Sequence, residues 1–556
     1  MSGAGFAKNA FSRFRKEEDG ALIIFALILF FLMMTIGGVA VDFMRYEQRR
    51  TALQNTLDRG VLAAAALNQQ LDPESVVRDY MTKAGLGSDI NHINVTDGLN
   101  GRTVSADGIT NTDPIFLHLV GIDELKAVGA SGAEQRVNNI EIALVLDVSG
   151  SMQNNNKLVN LKAAANEFVD TVLASDAEGR ISITLVPFNG QVNLGATLAA
   201  KYNLTNNPNV ANVNCVDLPP SVYSSTAMSN NVAMSMTAFA DTFSGTNQTT
   251  SYLAPTDTNY GTPNPLNRWC PSIAGNTVLL PSKSSSGLHA AINGLTAIGA
   301  TSINAGMKWG MALLDPNSKG MFSELITSGK ISPDFAGRPY AYNAAGTMKI
   351  VVLMTDGEHF AEERVGETYK SGNSPIYRSS GDGKYSIRFA TGRPAAAGAN
   401  QYWVPHLCTS VACTGGTNTA EAWRANAWDS GSGVALQTWP QVWTNMRVSY
   451  VAWQFYARAL GTNATSRTTV YNNTLASFRT QTATTSMDNQ LQQICGFAKD
   501  SGVTVYGIAF EAPINGQTQI SNCASSAGHY FNASGLQIAT AFRTIATNIT
   551  QLRLTQ

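Results

Sequence analysis

Four nearly continuous apolar runs constrain the fold more than any other feature of the chain: IEIALVLD (140–147), RISITLVPF (180–188), KIVVLMTD (349–356) and VTVYGIAF (503–510). Strands read this way when both of their faces are buried, which is the situation in a parallel sheet covered by helices above and below. Apolar residues spaced by three and four occur at Lys157–Leu173, His289–Ala297, Ser302–Leu314, Asp488–Asp500 and Leu536–Leu552, and predict amphipathic helices among these runs. The alternation predicts an α/β fold: a doubly wound, mostly parallel, Rossmann-like sheet.

Two long stretches interrupt that rhythm, at about 190–285 and 360–485, both rich in Asn, Thr, Ser, Gly and aromatic residues. Loops of this length are rare in compact domains unless they serve a function or fold by themselves. The second carries Trp403, Trp423, Trp428, Trp439, Trp443 and Trp453, which read as a core for the insertion rather than as an exposed binding face. Ahead of the sheet, 71–136 holds a short helical stretch around Pro73–Lys83 and the alternating segments INVT, TVSADGI and ELKAVGASGAEQ, which predict a small β-rich module.

From Gly20 to Val41 the chain is uncharged and apolar. At about 22 residues, or ~33 Å as a helix, this run matches the thickness of a bilayer core. A removable signal peptide is the rival reading, because Ala40 suits a cleavage site, but the apolar part of a signal peptide is usually only ~7–15 residues long. Residues 20–41 are therefore expected to be a transmembrane helix and 1–19 its cytoplasmic start. The stretch 42–70 continues the helix, with Leu53, Leu57 and Val61 at i, i+4 spacing, either as a stalk or packed on its neighbour.

Lys8, Arg13, Arg15 and Lys16 precede the span, while Arg45, Arg49 and Arg50 follow it, so charge alone favours an inside N-terminus only slightly. The cysteines bear on the side more strongly. All six, Cys215, Cys270, Cys408, Cys413, Cys495 and Cys523, lie beyond residue 200, and none has zinc-site spacing. Disulfides in an oxidising compartment fit this even count, with Cys495–Cys523 and Cys408–Cys413 the favoured pairs. The alternative is buried free thiols. Oxidised cysteines place everything after residue 42 outside the cytoplasm. Charged residues are 14% of the chain and the net charge is −1, a balance that draws it toward neither nucleic acid nor acidic substrates.

The first run leads directly into Asp147-Val148-Ser149-Gly150-Ser151-Met152, which sets a carboxylate and two hydroxyls at alternate positions just past a strand's C-terminal end, where α/β sheets bind ligands. Gly150 lets this turn bend tightly. An oxygen-only donor set suits a hard divalent cation, magnesium first, with manganese or calcium as substitutes. Alone, such a motif also describes a capping turn at a helix start. Two further stretches extend it here. Asp-Val-Ser-Gly-Ser resembles the Asp-x-Ser-x-Ser motif of the metal-ion-dependent adhesion site in von Willebrand factor A domains. GATSINAGM supplies Thr301 for that family's threonine loop, and KIVVLMTDGEHF supplies Asp356 for its second aspartate. The resemblance implies a metal held by Asp147, Ser149, Ser151, Thr301 and Asp356, some directly and some through water, with a coordination position left for a partner's carboxylate. It also implies a binding protein rather than an enzyme, acting on protein partners and on no nucleic acid or small-molecule substrate. A haloacid-dehalogenase-like hydrolase would want a second Asp where Ser149 stands. His359 reads as a surface loop histidine, with no nucleophile marked out beside it.

The N-terminal region carries a second resemblance. A basic start, Glu-Asp-Gly before an apolar span and an Arg-rich helix ending in LDRGVLAAAAL are similar to the TadE/TadG-type proteins of the Tad (Flp) pilus assembly system. The endings ICGFAKDSGVTVYGIAF, NCASSAGHYFNASG and AFRTIATNITQLRL fit the same comparison. It implies a single-pass bacterial inner-membrane protein whose periplasmic von Willebrand A region, 137–556 with its insertions, serves pilus assembly through pilus or envelope partners. Gly20-Ala21 resembles a prepilin cleavage junction, but Phe25 stands where pilins carry glutamate, which argues for a retained anchor.

Overall fold

The computed structural model describes residues 19–66, 71–98, 101–136, 139–174, 176, 179–243, 261–344, 346–405 and 422–550. The chain divides into two compact units, Met1–Asn138 with Leu552–Gln556, and Asn139–Gln551.

In the first unit, helix α1 (Asp19–Ala65) is followed by α2 (Pro73–Lys83) and strands β1 (Ile90–Gly98), β2 (Gly101–Thr112) and β3 (Leu125–Arg136). Among the described residues α1 is the one helix long and apolar enough to cross a membrane, and Leu22, Phe25, Ile28 and Phe31 are exposed along it. Its C-terminal part differs: Leu53, Leu57 and Val61 are fully buried with Val77, Met81, Val104 and Ala106. The helix therefore packs on its own module over this length. Near Gly38, where a Cβ would overlap the Phe116 ring, Asp42 accepts hydrogen bonds from the backbone N–H groups of Ile115 (2.9 Å), Phe116 (2.7 Å) and Leu117 (2.8 Å). Three donors compensate the burial of one carboxylate. The three alternating segments all form antiparallel strands, in the order β1-β2-β3.

The second unit is built on a six-stranded sheet. Its first members are β4 (Asn139–Asp147) and, after helix α3 (Lys157–Ala174), β5 (Ile181–Phe188). Next come β6 (Leu279–Ser282), α4 (Ser285–Gly294), α5 (Ile303–Leu314) and β7 (Thr347–Thr355). Within the second insertion lie β8 (Glu362–Val365), β9 (Asn373–Ser379), β10 (Tyr385–Arg388), β11 (Tyr402–Val404), β12 (Ala422–Arg424), β13 (Val434–Thr438) and β14 (Arg479–Thr482). The chain closes with α6 (Thr484–Asp500), β15 (Thr504–Phe510), α7 (Ile514–Cys523), β16 (Tyr530–Ala533) and α8 (Gln537–Thr550).

The central order is β16-β15-β7-β4-β5-β6. All neighbours are parallel except the edge pair β5/β6. Alternation along β4 divides two cores. Ile142, Leu144 and Leu146 pack with Leu161 and Phe168 of α3, Leu288 of α4 and Phe542 of α8, whereas Ala143 and Val145 pack with Met307 of α5, Leu491 of α6 and Ile520 of α7. Mixed α/β architecture is thus present, but the expectation of a mostly parallel sheet applies to this sheet and not to the chain as a whole. The module and the second insertion are antiparallel throughout, through the short hairpin β9/β10 and through pairs such as β9/β13 and β8/β14 whose strands lie far apart in the chain.

Both insertions fold onto this frame. Lys308 of α5, fully buried, donates to the carbonyls of Ser225 (2.7 Å), Thr226 (3.2 Å) and Ala227 (2.7 Å), and burial pushes its ammonium down to about 8. The second insertion forms a five-stranded antiparallel sheet, β12-β11-β10-β9-β13. Trp403, Trp439, Trp443 and Trp453 are buried in its core, while Trp423 and Trp428 are half-buried. The buried Lys370 ammonium joins the two insertions through Asp217 (2.6 Å). Cys495–Cys523 forms a disulfide between α6 and α7, with Cα atoms 5.1 Å apart. A second disulfide, Cys215–Cys270, lies in the first insertion, and the expected pair Cys408–Cys413 falls outside the described residues.

Trp443 is 1% exposed, stacks on Trp439 at 5.1 Å and donates its Nε1–H to the Tyr369 carbonyl at 2.7 Å. Trp443→Ala is expected to destabilise the insertion by about 3–5 kcal/mol, read as an earlier tryptophan-fluorescence transition in urea.

Candidate functional site

Parallel register brings four strand ends level: Asp147 faces Phe188 across β4/β5, Leu146 faces Met354 across β4/β7, and Ala509 faces Thr355 across β15/β7. Asp147 and Asp356 consequently emerge at the same C-terminal edge. Asp147 is fully buried and both of its oxygens are used. Oδ1 accepts the Ser149 backbone N–H at 2.7 Å, which closes the turn, and Oδ2 accepts the Thr355 hydroxyl at 2.6 Å.

Backbone hydrogen bonds sew the remaining loops to this turn. Ile298 N–H donates to Val148 O at 2.8 Å, Gly150 N–H to Gly299 O at 2.9 Å, and Phe360 N–H to Thr301 O at 3.0 Å. Glycine suits two of these points. A Cβ on Gly150 would stand 3.2 Å from Gly299 O, and Gly299 itself has φ +87°. The Ser149 and Ser151 hydroxyls lie 3.1 Å apart, and Ser151 Oγ–H donates to Asp356 Oδ1 at 2.8 Å. Thr301 borders the same space, since a Cβ on Gly357 would be 3.6 Å from Thr301 Oγ1 and 3.9 Å from Ser151 Oγ. Asp147, Ser149, Ser151, Thr301 and Asp356, drawn from three separate stretches of chain, therefore gather at one place.

Asp147, Ser149, Thr301 and Asp356 are buried, and the half-buried Gly150, Ser151 and Gly357 form the open side. Burial, followed by the charge of Asp356, pushes the Asp147 carboxyl up to about 7 against the opposing hydrogen bonds from Thr355 and Ser149. Lys157 Nζ lies 3.0 Å from Asp356 Oδ2 and 4.0 Å from Glu511 Oε2.

Two carboxylates and three hydroxyls would offer a divalent cation hard oxygen donors alone. Among the described residues no group of three or more His, Cys, Asp or Glu is placed to hold a metal, so a metal here depends on the hydroxyls as much as on the acids.

His359 departs from the sequence expectation. It is buried rather than a surface loop residue, because its ring bridges two elements: Nε2 accepts the Asn304 backbone N–H at the start of α5 (3.1 Å), and Nδ1 lies 2.7 Å from Asp488 Oδ1 on α6. That pattern assigns the proton to Nδ1. The bond holds Asp488 below the usual carboxylate range. Thr355, Lys157 and Glu511 also belong to the site and escaped the sequence reading. Thr355 was detectable from its place beside Asp356, whereas Lys157 and Glu511 are brought in by loop conformation.

Residues 20–67 match the family model described as "Putative Flp pilus-assembly TadE/G-like". No curated protein sequence matches the chain. Among solved structures, the chain is similar to the vWF domain of the type V pili tip protein Mfa5 from Porphyromonas gingivalis, at 13% identity over 74% of this chain and 95% of that one, with a TM-score of 0.29. It is also similar to the adhesive tip pilin GBS104 from Group B Streptococcus agalactiae, at 11% identity over 74% and 99% of the two chains, with a TM-score of 0.29. For the pilus adhesin SpaC from Lactobacillus rhamnosus GG the identity is 10% over 83% of this chain and 34% of that one, with a TM-score of 0.27.

The folded state holds the Asp147 proton more tightly than an unfolded chain, where aspartate titrates near 3.8. The group's contribution to stability is complete below pH 3.8 and is lost as pH rises through about 7. Thermal unfolding in chelator should show this fall, and Asp147→Asn should flatten it over the same window.

Proposed function

We propose that the chain is a membrane-anchored, metal-dependent protein-binding factor of Tad (Flp) pilus assembly, with Asp147, Ser149, Ser151, Thr301 and Asp356 forming a metal-ion-dependent adhesion site in a von Willebrand A-type domain. The observation that carries this reading is the convergence of five oxygen donors at the C-terminal edge of the sheet. The family match over residues 20–67 and the apolar start of α1 support an anchor of TadE/G type. Residues 20–41 span the bacterial inner membrane, with the N-terminus in the cytoplasm and the second unit in the periplasm. The disulfides Cys215–Cys270 and Cys495–Cys523 agree with an oxidising compartment.

A bound Mg2+, or Mn2+ or Ca2+ in its place, supplies an open coordination position for a carboxylate presented by a pilus or envelope protein. Asp147 and Asp356 provide the charge, Ser149, Ser151 and Thr301 the neutral donors, and the insertions form the surface around them. Binding rather than catalysis is favoured by His359, whose two ring nitrogens both face partners and leave none free to act as a base.

Asp147→Ala in the full-length chain is expected to keep normal membrane levels and both disulfides, to lose Mn2+ binding and metal-dependent crosslinking to partners, and to abolish pilus display in cells. Normal piliation by a stable Asp147→Ala protein overturns the role.

A further inference from the structure

Lys157 is an unexpected occupant of a cation site. Its side chain is 9% exposed, and its ammonium lies 3.0 Å from Asp356 Oδ2. The other oxygen of Asp356 already accepts from Ser151. The approach is made by a local bend: Asn155 and Asn156 have φ of 51° and 56°, a left-handed course that breaks the preceding turn and starts α3 at Lys157 itself. Asparagine tolerates this backbone better than most residues.

Across from Asp356 stands Glu511, just past the end of β15. It too has a positive φ, 52°, and its side chain is fixed by Gly535 N–H on Oε1 (2.9 Å) and by Asn155 Nδ2 on Oε2 (3.3 Å). Its Oε2 is 4.0 Å from Lys157 Nζ, and its side chain is 23% exposed. The lysine thus stands between a carboxylate inside the site and one at the rim.

We infer that Lys157 is a tethered counter-cation that competes with the divalent metal for Asp356 and is passed to Glu511 when the metal binds. The inference rests on the proposed metal site. In the metal-free protein the ammonium offsets part of the repulsion between two buried carboxylates and keeps the loops assembled. With a divalent ion in place, Asp147 and Asp356 alone would balance its charge, so the retained lysine opposes the ion. The metal therefore exchanges readily, so that partner binding follows metal concentration, and the handover of the ammonium to Glu511 keeps the loaded site close to neutral.

Mn2+ affinity of the full-length protein in detergent, measured by electron paramagnetic resonance of the free ion, tests this assignment. Lys157→Met, or Lys157→Gln if the Met variant does not fold, is expected to bind Mn2+ about tenfold or more tightly than wild type, the scale of one unit charge a few ångström from the ion in a partly screened site. Glu511→Gln is expected to bind several-fold more weakly, and this penalty should shrink in the Lys157 variant because Glu511 acts through the lysine. Equal or weaker binding by the Lys157 variant overturns the inference and makes the residue a strut for Asp356, and an undiminished Glu511→Gln penalty in that background also overturns it. Should neither lysine variant fold, unchanged affinity in Glu511→Gln overturns it alone. A wild-type protein that binds no Mn2+ defeats the metal-site reading itself, whereas wild-type binding with unmoved variants defeats only the role of Lys157.

Discussion

The burial of two neighbouring carboxylates, Asp147 and Asp356, organises the site. Parallel register brings them to one edge of the sheet, and the low dielectric around them makes the encounter costly. Nearby polar groups answer that cost. Thr355 and the Ser149 amide donate to Asp147, while the Ser151 hydroxyl and the Lys157 ammonium donate to Asp356. These bonds offset only part of that cost, and the Asp147 carboxyl stays well above its ordinary range. The hydroxyls are therefore part of what holds the two acids together at this edge.

Fixed backbone contacts make this arrangement persistent. The hydrogen bonds from Gly150 to Gly299 and from Phe360 to Thr301 tie the three loops into one rim. His359 extends the tie to α6 through Asp488, and the disulfide Cys495–Cys523 holds α6 to α7. On α7, Gly516 has no side chain because a Cβ there would run into the Gly357 carbonyl. The turn that carries Asp356 and Gly357 is in this way backed by two helices that are themselves cross-linked.

The central sheet and its site were legible because short-range pattern specifies them. Continuous apolar runs mark strands with two covered faces, and alternate oxygens past a strand end mark a turn that gathers ligands. What escaped depends on geometry that no spacing encodes. Lys157 looks like an ordinary residue at a helix start until the left-handed Asn155 and Asn156 bring it inward, and Glu511 reaches the rim only through its own positive φ. His359 had the composition of a loop residue, yet two elements distant in sequence, α5 and α6, bury its ring. Cys215 and Cys270 meet inside an insertion whose path is set by contacts such as those of Lys308 with Ser225 and Ala227, which composition does not reveal.

The insertions illustrate the same division between pattern and contact. Their tryptophans signalled a folded core, and Trp443 between Trp439 and the Tyr369 carbonyl shows why: rings of this size bury enough apolar area to order a segment that is otherwise polar. Their attachment is a different matter. The Lys370 ammonium, 2% exposed, bonds Asp217, Ser235 and Glu367, and such a buried charge is tolerated only when its partners are in place. Because Asp217 lies in the first insertion and Lys370 in the second, neither can shift without leaving a charge unpaired. The two insertions are for that reason fastened to each other by a buried ion pair as well as by the packing of their apolar side chains.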